Sequence, residues 1–361
     1  MPEPTPGVVR ANTKIPRVAR DDKASRDDKA PRDDKIVAGG RLQRVRAGNW
    51  QLTTVFMDWN SRRLTAILEN ALLEDRATRD ATSYACIDSN QRAAATIVSK
   101  QDCILAGIGC VARILDVYAA LDGAVTAHYE VTTHPEIFDG VRLRAGQSVA
   151  VIRHNARVIL SCERVILNFL QRMSGIATLT RKFVEAVSGT KARILDTRKT
   201  APGLRVIDKN AVRCGGGQNH RLDLSDGVLI KNNHITLAGG IVPALERAVR
   251  NRRGSQIIEV EVRTLDELDL ALAHGAEAVL LDNMSVDDVR HAVERCAQLH
   301  TQREPHDDTQ KDGHHIPVEC SGGIRLENVR AYAETGVDFI SVGLLTHSPQ
   351  AVDMSMRVVP A

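Results

Sequence analysis

Aromatic side chains are scarce in this chain: Phe, Trp and Tyr make up 3% of its 361 residues. A nucleic-acid-binding surface needs stacking rings together with a broad positive field, and the second ingredient is missing as well. There are 48 Lys and Arg against 45 Asp and Glu, and the first 46 residues hold 12 of those bases but only 7 of the acids, leaving a near-neutral remainder. Also missing is any apolar run approaching the ~20 residues that a membrane-spanning helix needs. The cysteines Cys86, Cys103, Cys110, Cys162, Cys214, Cys296 and Cys320 are odd in number and lack CxxC spacing. That pattern excludes a disulfide framework and suits buried thiols in a reducing compartment, so a cytoplasmic location is expected.

The first 46 residues differ from the rest. Arg20 to Lys35 reads RDDKAS, RDDKAP, RDDK, with no apolar side chain larger than alanine except Pro31, so nothing in it offsets the entropy of ordering. A disordered charged tail is expected over 1–46. The acids in it argue against a mitochondrial presequence, and the lack of an apolar h-region argues against a secretory signal.

From residue 47 the composition is globular. Arg63 to Glu74 places apolar residues at Leu64, Ile67, Leu68, Ala71 and Leu72, the stripe of an amphipathic helix. Strand-like pieces AATIV, ILAGIG, AHYEVTT and QSVAVIR follow, predicting an α+β domain over 47–164. Two helical stretches come next, Cys162 to Met173 and Ile176 to Val187, with Ser174-Gly175 read as a break between them. After Lys191 the pattern alternates. Strands are expected at ARILD, GVLIK, IIEVEV, AVLLD, PVECS and DFISVG, and helices at Val242 to Arg250, Leu265 to His274, Val286 to Gln298 and Leu326 to Glu334. Repeated βα units build a parallel sheet, here over 165–345.

Between Ile194 and His234, Arg198, Lys199, His220, Arg221 and Lys231 surround two glycine-rich turns. A single Lys or Arg after a strand is commonly solvated or paired with an acid. Five cationic groups in a short stretch of a near-neutral protein imply a strongly anionic ligand instead. Their positions also repeat. Arg198 and Lys199 follow the first strand and Lys231 the second, Glu261 ends the third and Asp282 the fourth, Ser321-Gly322-Gly323 follows the fifth and Gly343 the sixth. A barrel gathers such strand ends at one mouth, whereas an open sheet spreads them along an edge.

SGGI before a helix pattern suits phosphate binding, through close-approaching amides and a helix end. CGGGQNHR suggests a backbone forced close to a ligand. Glu261 and Asp282 should pair with Lys199 or Lys231, or meet a Mg²⁺ carried by a phosphorylated substrate. His300, His306, His314 and His315 fall in a polar insertion whose irregular spacing fits a mobile solvated loop better than a metal site.

Taken together, ERVILNFLQRMSGIAT, DTRKTAPGLR, AVRCGGGQNHRLDLSDGVLIKNNH, EVEV, LLDNM, ECSGGI and VGLLTHS resemble the quinolinate phosphoribosyltransferase family, in family order from about Leu64 onward. The resemblance implies an N-terminal α/β sandwich domain, an incomplete six- to seven-stranded α/β barrel, and a final segment, 346–361, returning to the first domain. It implies a dimer in which Arg164 reaches the partner's site. Arg198, His220 and Arg221 would meet the quinolinate carboxylates, with Thr197, Lys199 and Lys231 nearby. Glu261 and Asp282 would face the ribose and Mg²⁺ of phosphoribosyl pyrophosphate, and Ser321, Gly322, Gly323, Gly343 and His347 its 5-phosphate. Lys199, Lys231, Glu261 and Asp282 would be the catalytic groups. Arg79, Asn210 and the RHNAR segment depart from the family pattern, and none of them removes a charged site residue.

Overall fold

The computed structural model describes residues 42–47, 50–55, 57–123, 128–254, 256–302 and 315–361. The tail up to Arg41 and most of the His-rich insertion lie outside the described residues. A hairpin of β1 (Leu42–Ala47) and β2 (Trp50–Val55) comes first, so pairing begins inside the stretch read as tail.

The N-terminal elements follow in order: α1 (Arg62–Glu74), α2 (Ala81–Cys86), β3 (Arg92–Ser99), β4 (Cys103–Ile104), α3 (Cys110–Asp122), β5 (Glu130–Thr132), β6 (Arg142–Leu143) and β7 (Ser148–Asn155). Ser61 caps α1 by accepting from the amide of Leu64, and Leu64, Leu68 and Leu72 bury its predicted stripe. Of ILAGIG only Ile104 lies in a strand. The helix after it, α3, is absent from the sequence expectations; its face of Cys110, Val111, Ile114, Leu115 and Tyr118 is buried.

Next comes α4 (Ala156–Ala186), one unbroken helix where two were expected. A Cβ on Gly175 would stand 2.2 Å from the carbonyl oxygen of Gln350, and the Ser174 hydroxyl accepts from the amide of Ala106 at 3.1 Å. The small pair is there for close backbone packing, not to end the helix. α4 also runs through the boundary expected between Arg164 and Val165.

The alternating half consists of β8 (Arg193–Leu195), α5 (Arg205–Cys214), β9 (Val228–Ile230), α6 (Asn232–Ala238), α7 (Ile241–Asn251), β10 (Ile258–Val262), α8 (Leu265–Ala273), β11 (Ala278–Asp282), α9 (Val286–Gln302), β12 (Val318–Ser321), α10 (Val329–Ala333), β13 (Phe339–Ser341) and α11 (Leu344–His347). Every expected strand is present. Thr264 accepts from the Glu267 amide as the cap of α8, while the Glu267 carboxylate reaches the amide of Arg263 rather than that of Thr264. All six strands are parallel, in the order β8-β13-β12-β11-β10-β9. Among the described residues no ladder joins β8 to β9, so the barrel is incomplete. At its open edge Gln218 makes a single parallel pairing with Leu195, a rudimentary seventh strand.

The last strand, β14 (Met354–Pro360), pairs antiparallel with β3, giving an N-terminal sheet ordered β14-β3-β7-β5. No helix among the described residues is long and apolar enough to cross a membrane, and all seven cysteines are free.

Candidate active site

The C-terminal ends of the parallel strands open into one cavity of about 320 Å³. It is lined by Thr197, Arg198 and Lys199 after β8, His220 and Arg221 beyond Gln218, and Lys231 after β9. Glu261 of β10, Asp282 of β11 and Ser321 of β12 complete the set of expected residues there, with Leu229, Leu280, Glu319 and Ser341 between them. A larger cleft of about 420 Å³, at the N-terminal end of β9, contains none of these strand-end groups.

The cationic wall has its own supports. Arg172 of α4 grips the buried carboxylate of Asp208 with two bonds, of 2.9 and 2.7 Å, and Asp208 also accepts from the amide of Ala201. Thr346 donates to the carbonyl of Lys199 at 2.8 Å, and the amide of Lys199 donates to the Thr197 hydroxyl at 3.1 Å. The loop therefore keeps its shape without help from the Lys199 side chain. The Nε of Arg198 is buried without a hydrogen-bond partner. Burial and the neighbouring charge of Arg198 both pull Arg221 below the ordinary guanidinium value. Two cations that disfavour one another call for an anion between them.

The acids differ from expectation in one pairing. Glu261 meets Lys231 at 3.2 Å, as expected, and also accepts from the amide of Asn232. Asp282 meets Arg263, at 3.5 Å, instead of Lys199 or Lys231. Glu261 is buried and Asp282 partly exposed, each beside a half-exposed cation. Two hard carboxylate donors at the ends of neighbouring strands fit a hydrated Mg²⁺.

The glycines also divide. A Cβ on Gly343 would lie 3.3 Å from Cδ of Lys199 and 3.2 Å from the His347 ring, which sets these three side by side although Gly343 and His347 do not line the cavity. Gly322 and Gly323 have φ of 94° and 62°, and a Cβ on Gly322 would collide with the Asn283 side chain at 2.3 Å. The helix expected from Leu326 begins only at Val329, so it places no helix end at these glycines. In CGGGQNHR the reason for glycine is packing, not a ligand: Cβ atoms on Gly215 and Gly217 would run into Thr180 of α4. Arg164 is exposed on α4, outside the cavity, with no hydrogen bond or ion pair among the described residues. His315, the described end of the insertion, binds Asp338 at 3.0 Å. Arg79 and Asn210 do not line the cavity.

Sequence reasoning missed the layer beneath. Asp196 and Lys209 form a fully buried ion pair, which Asn219 joins by donating to Asp196 at 2.7 Å. Glu259 and Glu319 are buried within 4.8 Å of the His220 ring. Burial and the charge of Glu319 push the carboxyl of Glu259 up to about 8. Burial opposes charge on His220, Glu319 and Glu259 favour it, and the balance is upward. The signal was available: Glu259 and Glu319 are acids inside the otherwise apolar strand patterns IIEVEV and PVECS.

Known proteins match this architecture. Family models for the N-terminal and C-terminal domains of quinolinate phosphoribosyl transferase match residues 80–174 and 176–357. The chain belongs to the quinolinate phosphoribosyltransferase family. The Mycobacterium leprae nicotinate-nucleotide pyrophosphorylase [carboxylating] is 42% identical over 290 residues, covering 80% of this chain and 95% of that protein. A probable enzyme of the same name from Bacillus subtilis is 40% identical over 300 residues, covering 83% and 94%. NadC from Streptococcus pyogenes superimposes with a TM-score of 0.74 at 33% identity, over 84% of this chain and 99% of that one. The nicotinate-nucleotide pyrophosphorylase of Francisella tularensis gives 0.70 at 37% identity, over 82% and 96%. As a member of this family, the chain is a decarboxylating phosphoribosyltransferase that forms nicotinate mononucleotide in NAD biosynthesis.

Proposed function

We infer that the strand-end cavity binds quinolinate and phosphoribosyl pyrophosphate side by side, with the residues divided between them as follows. Arg198 and Arg221 hold the two carboxylates of the pyridine acid, His220 walls that end, and Thr197, Lys199 and Lys231 line the approach. Ser321, Gly322, Gly323, Gly343 and His347 form the 5-phosphate end. The observation that carries this reading is the convergence of cations from separate strands on one cavity, with two guanidiniums crowded together and a buried Nε unpartnered. Quinolinate is a dianion and a planar guanidinium matches a carboxylate, so two arginines suit a dicarboxylate better than nicotinate.

In the reaction the pyridine nitrogen attacks C1 of the ribose as pyrophosphate leaves, and the C2 carboxylate departs as CO₂. Loss of pyrophosphate spreads positive charge over the ribose ring, where the carboxylates of Glu261 and Asp282 stabilise it. Lys199 and Lys231 offer positive charge to the leaving group. Glu261 and Asp282 would hold a Mg²⁺ brought with phosphoribosyl pyrophosphate, and the ion would neutralise phosphate charge. Decarboxylation needs no side-chain nucleophile: the adjacent pyridinium nitrogen stabilises the electron pair left on C2, which then takes a proton from solvent.

Two further assignments belong to this reading. The chain acts as a homodimer in which Arg164, exposed and without an ion pair among the described residues, completes the partner's site. It works in the cytoplasm, where seven free thiols persist. Incubating the purified protein with quinolinate, phosphoribosyl pyrophosphate and Mg²⁺ should yield nicotinate mononucleotide. Product from nicotinate in place of quinolinate would reassign the acid end, and no product from either acid would sink the reading.

A further inference from the structure

Beneath the acid-binding end lie two carboxyl groups that the reaction above does not use. Glu259 sits one pleat deeper than Glu261 on β10, and Glu319 sits two residues before Ser321 on β12. They are 4% and 0% exposed, and Oε1 of Glu259 and both carboxylate oxygens of Glu319 lack a hydrogen-bond partner. Facing both is Nε2 of His220, 3.6 Å from Glu259 and 3.4 Å from Glu319. Buried carboxyls without donors are costly, so their presence here calls for a use.

The rest of His220 is already clamped. Its amide donates to Asp196 at 2.9 Å, its carbonyl accepts from Lys209 at 2.9 Å, and Nδ1 accepts from the amide of Arg221 at 2.7 Å. A ring nitrogen that accepts an amide hydrogen carries no proton of its own. However strongly the carboxylates favour a charged ring, this amide leaves room for one ring proton, on Nε2. Two consequences follow from that tautomer. Nε2 cannot bind a metal ion, although the histidine and the two glutamates are close enough together to hold one. Nδ1, already accepting an amide hydrogen, has no proton to offer a substrate carboxylate, and Nε2 faces Glu319 and Glu259.

We propose that Glu319, with Glu259 beside it, is a positioning residue that accepts a hydrogen bond from Nε2–H of His220, fixing the imidazole as a flat wall of the quinolinate end and leaving the carboxylates to Arg198 and Arg221. The proposal rests on the assignment of that end to quinolinate. It also explains why Arg221 follows His220 directly: the amide that locks the ring belongs to the residue whose guanidinium binds the acid.

The full-length protein tests this in two ways. Spectra of ¹⁵N-histidine-labelled protein without substrate, with His220 assigned by its loss in His220→Gln, should show a neutral ring protonated at Nε2. A charged ring, or a proton on Nδ1, overturns the proposal whatever the enzyme acts on. In steady-state assays Glu319→Gln keeps an acceptor oxygen and should hold the KM for quinolinate within about threefold of wild type. Glu319→Leu removes the acceptor and should raise that KM roughly tenfold, with the KM for phosphoribosyl pyrophosphate changed less than about threefold. Equal rises in both KM values, or equal damage from Gln and Leu, overturn it. Should the leucine variant fail to fold, the spectrum still decides.

Discussion

The side chain of Lys199 is exposed, makes no ion pair among the described residues, and hangs from a main chain pinned by Thr197 and Thr346. Truncating it removes charge from the cavity without unlocking the loop. Lys199→Ala should therefore lower kcat/KM by roughly a hundredfold or more, the scale of losing one preorganised charge, while the melting temperature stays put. Wild-type rates in a folded variant would contradict the role. At this scale the sequence was legible where charge stands at the end of an apolar run, as at Arg198, Lys199, Lys231, Glu261 and Asp282. It was opaque where a charged residue is buried inside a helix. Asp208 and Lys209 interrupt α5 with groups whose partners, Arg172 and Asp196, lie on α4 and at the end of β8, and no local pattern announces such pairs.

Elements follow the same division. Each of the parallel strands was readable because burial on both faces leaves a continuous apolar run. α5 was not, because buried Asp208, Lys209 and Asn210 interrupt the apolar Val206, Ile207, Ala211 and Val212. The break expected in α4 failed for another reason: Ser174-Gly175 reads locally as a breaker but serves a contact with a segment far along the chain. That contact reverses an ordinary expectation. Glycine to alanine inside a helix gains ~1 kcal/mol by propensity. At Gly175 the added methyl would press on the main chain at Gln350, which has no rotamer to escape into. Gly175→Ala should instead destabilise by about 1 to 3 kcal/mol, the usual cost of overpacking, and lower the unfolding midpoint in urea. An unchanged or raised midpoint would show that the 350–351 segment yields freely.

For the molecule as a whole, the incomplete barrel and the position of Arg164 bear on assembly. If Arg164 serves the partner's cavity, inactive Arg164→Ala and Lys199→Ala subunits complement one another. Random mixing in equal amounts makes half the dimers mixed, each with one intact site of two, so about a quarter of wild-type activity should return. Verified mixed dimers that stay inactive would place Arg164 in its own subunit's chemistry or outside it altogether.

The antiparallel pairing of β14 with β3 sets an order of events during synthesis. β3 leaves the ribosome early, yet one of its edges has no neighbour until Met354 to Pro360 emerges, after every barrel strand. Throughout elongation that edge is open to water or to another chain, and the amino-terminal sheet is finished last.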